Sequence, residues 1–135
     1  MAVLALGACG GSGSDGGGGG LSAAGERGQD ISRRNGCASC HGTDGQGGIG
    51  PAWVDLYGAE VELDDGTTVI ADEDYLARAI SDPGAEKVKD ATVAMPSNGL
   101  SDEEIADVIA YIRDLSPAAT SPSGSAAPTD TAVDE

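Results

Sequence analysis

Cys37, Cys40 and His41 carry the most specific chemistry in this 135-residue chain. Two thiols three positions apart are followed at once by the only histidine in the sequence. Cys-x-x-Cys-His is the pattern of covalent c-type haem attachment. On a helical turn, residues three apart share a face, so Cys37 and Cys40 can each reach one vinyl group of the same porphyrin. His41 then projects beneath the ring and can bind iron as the proximal ligand. Two other uses of these residues compete: a zinc site and thiol redox exchange. Zinc needs four ligands, and only three cluster here.

A six-coordinate iron needs a second axial ligand. Met1 belongs to an apolar leader, which leaves Met95, followed by Pro96, as the remaining methionine. With the single histidine already used, Met95 is the candidate sixth ligand, and Lys87 and Lys89 are the fallbacks. If Met95 stood away from the metal, a five-coordinate haem could sense gas or reduce peroxide. After His41 runs a loop rich in glycine, residues 42–53. Such a loop can pass flat along a ring edge where side chains would not fit. It lacks the Gly-Lys-Ser/Thr ending of a phosphate loop. The Pro51 carbonyl is placed to accept the free imidazole N–H of His41, orienting the ligand from behind. Trp53 could donate its indole N–H to a haem propionate, with plain core packing as the alternative.

These residues must be positioned by short elements. Residues 21–36 begin the folded part, and Gly28, Ile31 and the run to Asn35 fit a short helix leading into the motif. Gly28 within it costs up to ~1 kcal/mol against Ala, which suggests close approach by another element. Val61-Glu62-Leu63 and Thr68-Val69-Ile70 flank Asp64-Asp65-Gly66, a hairpin signal. Asp72 to Ser81 reads as a helix capped by Asp72 and ended by Asp82-Pro83-Gly84. Residues 85–99 form a second loop around Met95. Ser101 to Leu115 is the clearest helix: Ser101 and Glu104 form a capping box. Leu100, Ile105, Val108, Ile109, Ile112 and Leu115 make one apolar stripe along it, with Tyr111 beside it.

Composition agrees with a bound apolar group. The chain has no Phe, one Trp and three Tyr, too few aromatic rings to fill a core alone. The net charge is −16, from 23 acidic and 7 basic residues. Nucleic acid is a poor partner for such a surface, and a protein with a basic surface is the natural one. The three cysteines would leave one over in a disulfide framework. Leu6-Gly7-Ala8-Cys9 resembles a bacterial lipobox, so a lipid on Cys9 and two thioethers would use all three. The reading divides the chain into a signal remnant at 1–8 and a lipidated Cys9 with a Gly/Ser tether at 9–20. The folded domain follows at 21–116, and then a disordered tail at 117–135. A tether of that length reaches roughly 20 Å. It would hold the domain on the periplasmic side, at the outer face of the cytoplasmic membrane.

Taken together, these features make the chain similar to a class I cytochrome c over about residues 25–115. The likeness rests on a first helix, Cys37–His41, Gly50-Pro51, Met95-Pro96 and an amphipathic last helix. It implies an all-α fold of three to four short helices around one covalent haem c, with a small β-hairpin excursion. It also implies that the first and last helices cross closely, through Gly28 and Tyr111. One position departs: the family often has Phe five residues before the first haem cysteine, and this chain has Ser32. A narrower resemblance, to the cytochrome c domain of bacterial oxidase subunit II, rests on stretches such as Gly50-Pro51-Ala52-Trp53 and Leu56-Tyr57-Gly58. Those domains take electrons from a cytochrome bc complex and pass them to a copper centre. The expected function is a tethered monohaem electron carrier in a respiratory chain, with no catalytic residues of its own. The alternative is a dedicated cytochrome subunit of an oxidase or periplasmic dehydrogenase.

Overall fold

The computed structural model describes residues 20–116. Helix α1 spans Ala23–Arg34 and a single turn, α2, spans Ala38–His41. Strands β1 (Glu60–Glu62) and β2 (Thr68–Ile70) follow, then helices α3 (Glu73–Ser81) and α4 (Asp102–Asp114). The arrangement is mostly helical with one two-stranded antiparallel sheet, as the resemblance implies. The expected leader, Cys9, tether and C-terminal tail lie outside the described residues, apart from Gly20.

Local chemistry explains where each helix starts. Ser22 Oγ accepts the Gly25 N–H at 3.1 Å, and Asp72 Oδ1 accepts the Tyr75 N–H at 2.8 Å. Ser101 and Glu104 complete the capping box in both directions, at 3.3 and 2.9 Å. Each cap satisfies an amide that has no partner inside its helix. Asp102, Glu103 and Glu104 also favour the positive N-terminal end of the α4 dipole.

Helices α1 and α4 make the most extensive packing between elements. Gly28 is buried where they cross. A Cβ there would run into the Asp107 carbonyl and lie 2.9 Å from Val108 Cα. The two backbones therefore approach at a distance only glycine permits. Arg27 clamps the same place from the rim, its Nε and Nη2 donating to the Asp107 carboxylate at 2.9 and 2.7 Å. That fork of hydrogen bonds holds the Asp107 carboxyl below its usual range. Tyr111 is almost wholly buried, and its hydroxyl accepts the Gln29 side-chain N–H at 3.2 Å. Ser32, the departure from the family pattern, is also buried; its hydroxyl donates to the Gln29 carbonyl at 2.8 Å. The polar group is thus satisfied inside its own helix.

The apolar stripe of α4 turns inward, burying Ile105, Val108, Ile109 and Ile112. Across from it stand Tyr75, Leu76 and Ile80 of α3, with Val61 and Leu63 of the hairpin. In the hairpin Glu60 pairs with Ile70, Val61 with Val69 and Glu62 with Thr68. The hairpin does more than fill space. Leu63 bridges to Val88, the Asp64 N–H donates to the Lys87 carbonyl at 2.9 Å, and the Lys89 N–H donates to the Glu62 carbonyl at 2.9 Å. It therefore holds the start of the loop that carries Met95.

The Gly28 contact sets a stability prediction in which two effects oppose. Gly28→Ala gains up to ~1 kcal/mol of helix propensity. Forcing a methyl into the crossing costs about 1–3 kcal/mol. Overpacking should win, because the obstacle is backbone rather than a flexible side chain. Denaturant unfolding of Gly28→Ala should show a net loss on the order of 1–2 kcal/mol; unchanged or raised stability would mean the helices do not touch here.

Candidate haem-binding site

Cys37 stands just beyond the end of α1, where Asn35 caps the helix and Gly36 takes φ 77°. The chain then winds one tight turn. The Cys40 and His41 N–H groups donate to the Cys37 carbonyl at 3.1 and 3.0 Å, and Gly42 N–H donates to Ala38 O at 3.0 Å. Cys37 and Cys40 are both half-buried free thiols, and both line one cavity. Burial is the main reason the Cys37 thiol is pushed up from its ordinary value; the nearby Cys40 adds to the rise, while a backbone hydrogen bond opposes it. A thiol so placed stays protonated and weakly reactive toward solvent oxidants.

His41 is buried and held on several sides. Its Nδ1 lies 2.8 Å from the Pro51 carbonyl oxygen. A carbonyl can only accept, so Nδ1 carries the proton and Nε2 keeps its lone pair free for a metal. Burial lowers the His41 pKa, and the Pro51 carbonyl offsets this only in part. The ring is therefore neutral, the form that ligates. Gly50 forms a wall of the pocket: a Cβ there would lie 3.0 Å from His41 Cε1 and 3.1 Å from Nδ1. The glycine-rich loop is folded back by Gly47 N–H to His41 O at 2.8 Å and Gly50 N–H to Cys40 O at 2.9 Å. Its far end is fastened to the end of α4, where Asp55 N–H donates to Leu115 O at 3.2 Å and Tyr57 N–H to Ser116 Oγ at 3.0 Å.

Trp53 takes the core-packing place, one of the two its sequence context allows. It does not line the cavity. Its indole is buried and stacks on the His41 ring, with centroids 4.7 Å apart and planes 21° from parallel. The edge-on neighbour of Trp53 is Tyr111, at 6.0 Å and 89°. In this position the indole packs between His41 and Tyr111. The loop from Trp53 to Tyr57 is tied to α4, which draws the indole inward behind the histidine.

The cavity has a volume of about 420 Å³. Cys37, Cys40, His41, Pro51 and Met95 all face it. Met95 is held by its neighbours: Asn98 Nδ2 donates to Ile80 O at 2.7 Å, and Asn98 Oδ1 accepts Leu100 N–H at 3.1 Å. The loop thus spans from the end of α3 to the start of α4. Lys89 and Asp90 are the charged residues in the lining, which is otherwise largely apolar. Ile49 and Val93 line it too, yet are 66% and 56% exposed. Exposed aliphatic side chains at the mouth of an apolar cavity leave a surface that a flat apolar ligand would cover. A second hollow of about 330 Å³, backed by Tyr75, continues beneath the hairpin and shares Pro51, Val88, Lys89 and Asp90 with the first.

These features fit a covalently bound porphyrin. Two thiols, a neutral imidazole and a thioether converge on one apolar cavity; the thiols can bond porphyrin vinyl groups, and iron in haem takes an imidazole and a thioether. No group of three or more His, Cys, Asp or Glu among the described residues is arranged to hold a metal ion directly. Gly50, Ile49 and Val93 escaped the sequence reading as individual wall residues. The excess of glycine in residues 42–50 was the available signal for the first of them.

Comparison with known proteins gives the same answer as the geometry. A family model described as Cytochrome c matches residues 25–116. The chain is 37% identical over 78 residues to cytochrome c-554(548) of Halomonas halodenitrificans, a match covering 56% of this chain and 78% of that protein. An electron carrier with covalently bound haem c is what such a match implies, and it is what the cavity fits. The chain belongs to the cytochrome c family, with a class I domain over residues 25–116.

Proposed function

We propose that this protein is a membrane-tethered, monohaem carrier of single electrons in a respiratory chain, delivering toward a haem-copper terminal oxidase. The observation that carries the reading is the convergence of Cys37, Cys40, His41 and Met95 on one apolar cavity. In this reading Cys37 and Cys40 hold the haem through thioethers, and His41 Nε2 and Met95 Sδ are the axial ligands. Bound haem supplies an iron that cycles between ferrous and ferric states, one electron at a time. The chain's own part is to hold its ligands still. Pro51 fixes the His41 tautomer through Nδ1, and Asn98 braces the Met95 loop. The apolar lining excludes water, which favours the less charged iron state. In this reading the two thiols that face the cavity are taken up by the thioethers and the imidazole by iron, so the residues suit transfer rather than bond-making.

The charge pattern supports a basic redox partner. Six of the seven basic residues sit in ion pairs, among them Arg27 with Asp107, Lys89 with Glu62 and Arg113 with Glu73. These pairs are mostly exposed and contribute little stability. Their consequence is that few positive charges remain to offset the acidic excess. A partner such as a cytochrome bc complex or an oxidase would then be steered by long-range attraction to this surface. The tether reading rests on Leu6-Gly7-Ala8-Cys9 and the Gly/Ser run after it. No helix among the described residues is long and apolar enough to cross a membrane.

Three measurements test these statements. Met95→Ala should keep its covalent haem on a denaturing gel yet lose the Met–iron charge-transfer band of the oxidised protein. Retention of that band would exclude Met95 as the ligand. Electron-transfer rates with a basic partner should fall several-fold as ionic strength rises from about 0.01 to 0.5 M, because the Debye length shrinks from ~30 Å to a few Å. A flat salt profile would oppose electrostatic steering. Cys9→Ser, expressed from the full chain with a working export signal, should move the haem stain from the membrane fraction to the soluble one, whereas an unchanged distribution would rule out the lipid anchor.

A further inference from the structure

We propose that Trp53 is a positioning residue for His41: its indole sets the plane of the imidazole and couples that plane, through Tyr111, to the α1–α4 crossing. The inference rests on the reading of His41 as an iron ligand. It goes beyond that reading by naming what aims the ligand.

The physical argument starts from what the hydrogen bond leaves free. Nδ1 is pinned to the Pro51 carbonyl at 2.8 Å. One contact to one ring atom still lets the ring tilt about that point. The Nε2 lone pair lies in the ring plane, so the direction it points follows that tilt. A flat indole 4.7 Å away and 21° from parallel opposes tilting across the whole ring face. The Gly50 backbone crowds Cε1 and Nδ1 and limits motion along another direction. An aliphatic side chain of similar bulk would fill the space without presenting a flat face.

Trp53 is itself held. It is only 5% exposed, and its backbone N–H donates to the Gly45 carbonyl at 2.7 Å. Tyr111 stands edge-on to it at 6.0 Å and 89°, an arrangement aromatic pairs favour. The Tyr111 hydroxyl accepts from Gln29 on α1. A continuous set of contacts thus runs from α1 through α4 and Trp53 to the ligand. The sixth-ligand loop takes no part in it.

The test uses haem-loaded protein throughout. The reading of His41 as ligand is checked separately: wild-type protein must show the low-spin spectrum of a histidine-ligated iron, whatever Trp53 does. Given that, reduced wild-type protein should show nuclear Overhauser contacts between the Trp53 indole and the His41 ring protons. Their absence would overturn the proposal without any mutation. In the oxidised state, the order of the haem methyl proton shifts and the low-spin EPR g-values report the orientation of the axial ligand planes. Trp53→Leu should reorder the methyl shifts and move the largest g-value, while Trp53→Phe, which keeps a flat ring, should restore the wild-type pattern. A Trp53→Leu protein that is less stable but spectrally wild type would show a purely structural role and overturn the proposal. Gln29→Leu should shift the same resonances by less, and no shift would remove the coupling to the crossing. If Trp53→Leu fails to accumulate, the wild-type contacts and the Phe and Gln29 variants still decide.

Discussion

The backbone of α1 meets the backbone of α4 at Gly28, and much of the rest follows from that contact. Because no Cβ intervenes, the Asp107 carbonyl and Val108 Cα can lie against the first helix. The crossing brings Tyr111 to Gln29 on one side and to Trp53 on the other. Trp53 then backs His41. A side chain at position 28 would push these helices apart, and each later contact would have to lengthen. The interaction that most constrains the site is thus remote from the cavity it serves.

The cavity is the counterpart of a thin core. A chain with no phenylalanine and four other aromatic residues has little bulk to place at its centre. Three of the aromatic residues it has, Trp53, Tyr75 and Tyr111, are buried in the core. Beside that core lies an apolar hollow lined by the haem motif and the Met95 loop. Apolar area removed from water is the main source of stability in a small domain. A haem held here would provide area that side chains do not, which would couple its binding to folding. The hairpin belongs to the same economy of parts: a two-stranded ribbon is marginal alone, but this one holds Lys87, Val88 and Lys89 in place along the cavity rim.

Much of this was legible in the sequence for identifiable reasons. Cys37, Cys40 and His41 are a motif whose spacing is set by one turn of helix, a local property. The capping pairs at Ser101–Glu104 and Asp72–Tyr75 are also local, so the boundaries of α3 and α4 could be read to within a residue. The α4 stripe follows from helical periodicity alone, and Gly28 announced a close approach because glycine is otherwise costly in a helix. Trp53 shows where such reasoning stops. Its sequence neighbourhood is compatible with a propionate donor or with core packing. The choice between them depends on where the loop after Pro51 is tied, and those ties run to Leu115 and Ser116, some 60 positions away. The hairpin was placed correctly along the chain but assigned no role, because its partner is another loop. Likewise, the buried Ser32 is accommodated by a carbonyl of its own helix, which only the packed structure reveals.

The sequence by itself determined the chemistry: a haem c attachment motif, one histidine, one candidate methionine, and helices whose caps and stripes are written in local order. Only the tertiary structure decided the aim of that chemistry. It brought Met95 to the same cavity as His41, set the Pro51 carbonyl on Nδ1, and turned Trp53 from the cavity to the back of the imidazole. The physical reason is range. Covalent spacing, capping and periodicity act over a few residues, whereas the plane of a ligand is set by packing between segments that meet only when the whole chain closes.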